Sequence, residues 1–261
     1  MVKLRAACHG SLWYWLPVAF AVAVSALAHA QGTTSGTNSM RATEVIVLST
    51  VHQFHTKVPG YSFDELTHVI EALSPDVLAV ELTASDLAAR KPQATKQEYP
   101  RSVYGLLDRH AYAVVPLEPS EPEFTRNVTL LRNAAFEFHE KTPEQERAFD
   151  TYAEALFAYL FARWDSAQTV NSPETDALFA VKHRYQDAIF PKDQAVAWNA
   201  WNEHFAKVVL DAALRFPGSR IVVLVGVEHA YWLRDRLRKQ SSVRLLDTPA
   251  LLAQLPLART R

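Results

Sequence analysis

The chain has 261 residues, 49% of them hydrophobic, with 27 basic against 28 acidic side chains and a formal net charge of −1. That balance, without any basic stripe, excludes nucleic acid as an expected partner. The one cysteine, Cys8, excludes a disulfide scaffold, so the fold must rest on a hydrophobic core, and this length suffices for one sizeable α/β domain.

Residues 1–30 have the layout of a secretory signal peptide. Lys3 and Arg5 precede the apolar run Leu12 to Leu27, and Ala28-His29-Ala30 gives a small-x-small cleavage pattern. Cleavage after Ala30 predicts a periplasmic or secreted protein; an uncleaved membrane anchor is the alternative for a segment of this length. The mature chain would keep 25 basic residues against 28 acidic ones, since only Lys3 and Arg5 are lost, and would have no thiol. Nothing later in the sequence is long and apolar enough to span a bilayer. Residues 31–42 are mostly Gly, Ser, Thr and Asn, which predicts a disordered leader before a single α/β domain over 43–261.

In that domain Val45 to Leu48 reads as a strand that runs through Ser49-Thr50-Val51 to His52. Ser62 to Leu73 has helical spacing, with Ser62 and Glu65 as a capping-box signature and Ser74-Pro75 as a stop. Asp76 to Leu82 reads as a second strand carrying Glu81, Ser102 to Arg109 as a helix, and Ala111 to Leu117 as a third strand leading to Glu118. Strand, helix, strand at this spacing is a parallel crossover.

From about 121 to 216 the pattern becomes a long helical insertion, broken at Thr142-Pro143, Asn171-Ser172-Pro173 and Pro191. Phe157, Phe161 and Trp164 share one helix face and Tyr152 with Tyr159 the opposite one, so that helix is expected to be sandwiched. Its aromatics are core or groove wall rather than cofactor contacts. Asp193 to Phe216 is the last helix of the insertion and carries Trp198, Trp201, Asn202 and Phe205. The run Ile221 to Val225 then delivers Gly226-Val227-Glu228-His229 to a strand-to-helix turn, with a final strand near Val243 to Leu246 and a short helix over Pro249 to Leu255.

His52, Glu81, Glu118 and His229 therefore end strands on one expected sheet edge, where open α/β sheets bind ligands. Two imidazoles and one or two carboxylates suit a first-row divalent ion, which would activate water for attack on an amide or ester. In that assignment His52, His229 and Glu81 are the metal ligands. Glu81 or Glu118 acts as general base, and whether Glu81 is ligand or base stays open. Each of these residues also has an ordinary structural reading as a helix-start histidine, a turn residue or a solvated strand end. His55, three after His52, is a further candidate; His68, His110, His139, His183 and His204 read as surface or packing residues. Neither a serine-hydrolase elbow nor a phosphate-binding glycine loop occurs.

Ser49-Thr50-Val51-His52, Val80-Glu81, Leu117-Glu118, Trp201-Asn202 and Gly226-Val227-Glu228-His229 together resemble the pattern of the TraB/PrgY, GumN and Tiki superfamily, distantly akin to erythromycin esterases and haem-binding ChaN proteins. The resemblance covers most of the mature chain in order of elements and implies an α/β fold with a mixed, largely parallel central sheet. It also implies a metal-dependent hydrolase, peptidase-like or esterase-like, using a divalent ion such as manganese, cobalt or zinc, with Glu118 and Asn202 positioning the reacting groups. Ser49 stands where the family has glycine, which is expected to narrow the backbone's approach to the site. Trp201 stands where the family has arginine, which removes a cation from the expected cleft. A non-catalytic periplasmic protein that binds a peptide or small molecule along the aromatic helices is the alternative, and haem binding through a histidine a further one.

Overall fold

Five strands organise the chain: β1 (Glu44–Thr50), β2 (Val77–Val80), β3 (Ala113–Pro116), β4 (Arg220–Gly226) and β5 (Arg244–Leu245). The structure is a computed structural model that describes residues 42–255. All five strands belong to one compact unit. The expected signal peptide 1–30, and all of the expected leader 31–42 but Ala42, lie outside the described residues.

The strand order is β3-β2-β4-β1-β5, and every pairing is parallel. The expected α/β class holds, but its mixed component does not: no antiparallel strand occurs among the described residues. The reason is connectivity, since each strand reaches the next through a helical crossover and no hairpin closes an antiparallel pair. β1 and β4 pair over their whole length, from Glu44 opposite Arg220 to Thr50 opposite Gly226, and all of both strands except Arg220 is buried. Sequence alternation splits their side chains between two core layers. Ile46, Leu48, Val222 and Leu224 pack with helix α1 (Phe63–Leu73). Val45, Val47, Ile221, Val223 and Val225 pack with α8 (Lys192–Arg215) and α9 (Val227–Arg238).

The remaining helices are α2 (Ala84–Ala88), α3 (Tyr104–Arg109), α4 (Glu123–Lys141), α5 (Pro143–Arg163), α6 (Ala167–Val170), α7 (Pro173–Ile189) and α10 (Thr248–Leu252). α1 begins where expected, with the Ser62 hydroxyl accepting from the Glu65 amide at 3.2 Å, and ends at Ser74 in the left-handed region, φ 50°. The proline breaks of the helical insertion fall between α4 and α5, before α7 and before α8. α5 is sandwiched only in part, since on its second face Tyr152 is half-buried and meets Tyr185 of α7 edge-on at 5.4 Å. Phe157, Phe161 and Trp164 form a chain of ring contacts at 6.0 and 5.5 Å, but Tyr159 on the opposite side is 44% exposed and donates its hydroxyl to Glu174. No helix among the described residues is long and apolar enough to cross a membrane.

A buried polar knot fixes β1 from below. Arg234 of α9 donates to the Val47 carbonyl at 2.8 Å and to Asn171 Oδ1 at 2.7 Å, and the same Asn171 oxygen accepts from the Ser49 amide at 2.8 Å. Ser49 turns its own hydroxyl toward Arg234 at 3.3 Å. It therefore faces this knot and does not narrow the approach to the sheet edge, contrary to the expectation for that position.

Candidate active site

Because β1, β2, β3 and β4 run parallel, the residues that follow their carboxyl ends share one edge, and His52, Glu81, Glu118 and His229 all stand there. The side chains of the first three are nearly enclosed: 19% exposed for His52, 5% for Glu81 and 8% for Glu118.

The chain leaves β1 through Thr50 and places His52 at φ 51°, a left-handed conformation that costs a β-carbon-bearing residue about 1 kcal/mol or more. What holds it is Glu98, fully buried, whose Oε1 accepts from His52 Nδ1 at 2.7 Å and from the Thr50 hydroxyl at 3.0 Å. Burial alone would lower the imidazole's pKa. The charge and hydrogen bond of Glu98 outweigh it, so His52 holds its proton above the ordinary histidine value. Glu98 is correspondingly held below the usual carboxylate range: burial pushes it up, and His52 more than reverses that.

His229 is held by a different kind of partner. Its Nδ1 lies 2.9 Å from Asn202 Oδ1, and the Asn202 amide nitrogen donates to the Trp198 carbonyl at 2.8 Å. With its NH₂ end so engaged, Asn202 presents only an acceptor, which puts the proton on Nδ1 and leaves Nε2 with a lone pair. Trp198 stacks on the ring at 4.4 Å and Phe205 leans on it at 5.2 Å. Burial lowers the His229 pKa to about 4, with the charge of Glu81 pulling weakly the other way, so the ring is neutral at ordinary pH.

Glu81 follows β2, the neighbour of β4 on the side away from β1, and reaches the end of β4. Its Oε2 accepts from the Gly226 amide at 2.6 Å, its Oε1 from the Lys96 ammonium at 2.9 Å, and its own amide donates to the Tyr99 hydroxyl at 2.7 Å. Burial raises its pKa; Lys96, then His52 and His229, reverse that and bring it to about 2. Lys96 also donates to the Glu81 carbonyl at 2.9 Å and to Glu118 Oε1. Glu118 is shifted up instead, because burial and the neighbouring Glu81 charge exceed what Lys96 returns. Gly226 is tightly enclosed: a β-carbon there would stand 2.6 Å from His52 Nε2 and 3.5 Å from Glu81 Oε2, so the imidazole would have to shift.

The expected metal set of His52, His229 and Glu81 does not form one. No three His, Cys, Asp or Glu side chains gather as a ligand group among the described residues. The cause is at Glu81, where one carboxylate oxygen is taken by a backbone amide and the other by an ammonium. The chemistry this arrangement offers is proton transfer between groups whose pKa values are driven apart.

Asn202 and Glu118 are where the sequence placed them, on α8 and after β3. His55 is not part of the site: its Nδ1 lies 2.5 Å from the Tyr61 carbonyl, its Nε2 accepts from the Val51 amide at 3.3 Å, and burial lowers its pKa to about 4. His183 is a buried packing residue, bonded to Glu228 at 3.0 Å and to the Tyr231 hydroxyl at 3.0 Å. Trp201 packs against the second core layer and edge-on to Phe124 at 5.5 Å. The tryptophan at the site is Trp198, and the cation is Lys96. Lys96, Glu98 and Tyr99 all come from one polar stretch between α2 and α3, Lys96-Gln97-Glu98-Tyr99-Pro100. Charged and aromatic residues packed that tightly before a proline were the available signal. Neither the family models, the curated proteins nor the solved structures contain a match to this chain.

Proposed function

We propose that this chain is an exported hydrolase of the TraB, GumN and Tiki type that cleaves an amide or ester by water attack, using its own side chains as acid and base. The observation that carries the reading is the pair of imidazoles at the exits of β1 and β4. Each is anchored through Nδ1, one to a carboxylate and one to an amide, and both rings act on the charge of an ionised Glu81. His229 Nε2, neutral and with a free lone pair, takes a proton from water as the oxygen adds to the carbonyl carbon. His52, which keeps its proton above the ordinary histidine value, gives that proton to the leaving nitrogen or oxygen as the bond breaks. A solvent proton relay from His229 to His52 restores both. Asn202 fixes the tautomer of the base, and Glu118 and Lys96 set the charge around Glu81.

A screen of ester and peptide substrates with the full chain tests this, beside a His52→Ala/His229→Ala chain. Turnover with a bell-shaped pH profile that disappears in the double variant is expected. Absence of turnover, or turnover equal in both chains, removes the proposal.

A binding role has one specific observation in its favour. Phe54, two residues after His52, meets Phe161 at 5.4 Å and Phe157 at 6.5 Å, with the Lys57 ammonium 5.0 Å from its ring. These three rings are partly buried, and such a wall beside the sheet edge suits an apolar side chain of a peptide.

A further inference from the structure

The ammonium of Lys96 has three N–H donors, and three acceptors surround it: the Glu81 carbonyl at 2.9 Å, Glu81 Oε1 at 2.9 Å, and Glu118 Oε1. Its side chain is 14% exposed, and the two carboxylates 5% and 8%. Two buried carboxylates this close would not both ionise without a cation between them. In this chain the cation is covalently attached, with every donor used and a direct ion contact to both acids.

We infer that Lys96 is the resident cation of this centre, standing where a divalent ion would have to sit between Glu81 and Glu118, so that the native chain takes up no divalent ion there. An incoming ion would have to displace an ammonium already paired with both carboxylates, and would then face that same charge close by. The two occupants exclude each other. Removing the ammonium alone leaves the two carboxylates and the Glu81 carbonyl converging on one vacated point, which is a set of oxygen donors suited to a divalent ion such as manganese. Lys96 acts through Glu81 and Glu118 and is a positioning residue. The inference deepens the hydrolase reading of the same site but rests on ion occupancy, not on turnover: a failed substrate screen removes that reading and leaves this one standing.

The test is titration of the chelator-treated full chain with manganese, cobalt and zinc chlorides, followed by calorimetry, elemental analysis and thermal melting. The native chain is expected to bind well under one ion per chain and to melt at an unchanged temperature. Lys96→Ala is expected to bind one ion and to melt about 5–10 °C higher at a hundredfold excess over Kd, and Lys96→Arg, which keeps the charge, to stay unresponsive. One ion per native chain that is lost in Glu81→Gln overturns the inference. So does a Lys96→Ala chain that folds by circular dichroism and gains no ion. If Lys96→Ala does not fold, the native and Lys96→Arg titrations decide: no ion in either supports the inference, and an ion in either that Glu81→Gln abolishes overturns it.

Discussion

The exits of β1 and β4 each carry a histidine to the same edge and hold it by Nδ1, but the holding atom differs. At β1 it is a carboxylate oxygen of Glu98, and His52 keeps its proton; at β4 it is the amide oxygen of Asn202, and His229 stays neutral down to about pH 4. Burial lowers both rings and the charge of Glu81 raises both. One neighbouring atom's formal charge therefore sets which ring is the acid and which the base. His55 completes the comparison: with both nitrogens held by backbone groups, it has no lone pair or proton left to exchange with a ligand.

The largest effect expected from breaking this pair is on turnover. His229→Ala and His52→Ala should each lower kcat/KM by about 10²–10⁴-fold on any ester or amide the chain cleaves. Because the two act as a unit in one catalytic cycle, the double variant should lose far less than the product of the single losses. Strictly multiplicative losses in a steady-state comparison of the three chains would show that the rings work independently.

Next comes acid stability, where His55 serves as the inert reference. Burial holds His55 at about 4 in the folded chain, while in the unfolded chain it titrates near its ordinary value of 6.5. Below pH 6.5 the unfolded state binds a proton that the folded state refuses, so its contribution is fully present above 6.5 and is lost as pH falls through 4, on the order of 3 kcal/mol. His229 contributes with the same sign. His52, shifted up, contributes with the opposite one: its stabilisation is full below 6.5 and fades as pH rises through its raised value. Urea unfolding at a series of pH values should show stability falling from about pH 7 toward 4, and a smaller fall in His55→Gln even though that chain starts less stable. An equal fall in both would detach the loss from His55.

Exchanging the two partners sharpens the comparison further. Asn202→Asp should move the His229 titration up from about 4 toward or beyond 6.5, and Glu98→Gln should drop His52 below 6.5, each followed by imidazole proton and nitrogen shifts. If either ring titrates unchanged after its partner is exchanged, the partner does not set its proton.

How much of this was legible in the sequence depends on the range of the interaction that decides it. The strands β1 and β4 announce themselves through unbroken apolar runs, and the breaks of the helical insertion through Pro143, Pro173 and Pro191, because those signals are local. His52, Glu81, Glu118 and His229 follow from strand ends in a parallel sheet, and the structure places all four at one edge. Their partners were not legible. Glu98 lies 46 residues from His52 and Asn202 27 residues from His229, and the protonation of each ring depends on those contacts. Lys96, which pairs with both Glu81 and Glu118, comes from a connection with no regular period, and only the fold of that connection brings it to Glu81.

The smallest expected effect tests whether the two exits are one packed unit. Gly226 ends β4, and a β-carbon there would stand 2.6 Å from His52 Nε2 at the other exit. The nearest obstacle is an imidazole held by Glu98 at 2.7 Å, so His52 can yield only by stretching that bond. Gly226→Ala should therefore cost about 1–3 kcal/mol as overpacking, read from the shift of the urea midpoint at constant slope. The His52 titration should fall as the ring leaves Glu98, while His229, anchored to Asn202 on the far side of the turn, keeps its value near 4. A Gly226→Ala chain in which His52 titrates as before would mean that the β1 exit is not braced against β4, and that the opposed protonation of the two rings owes nothing to their packing.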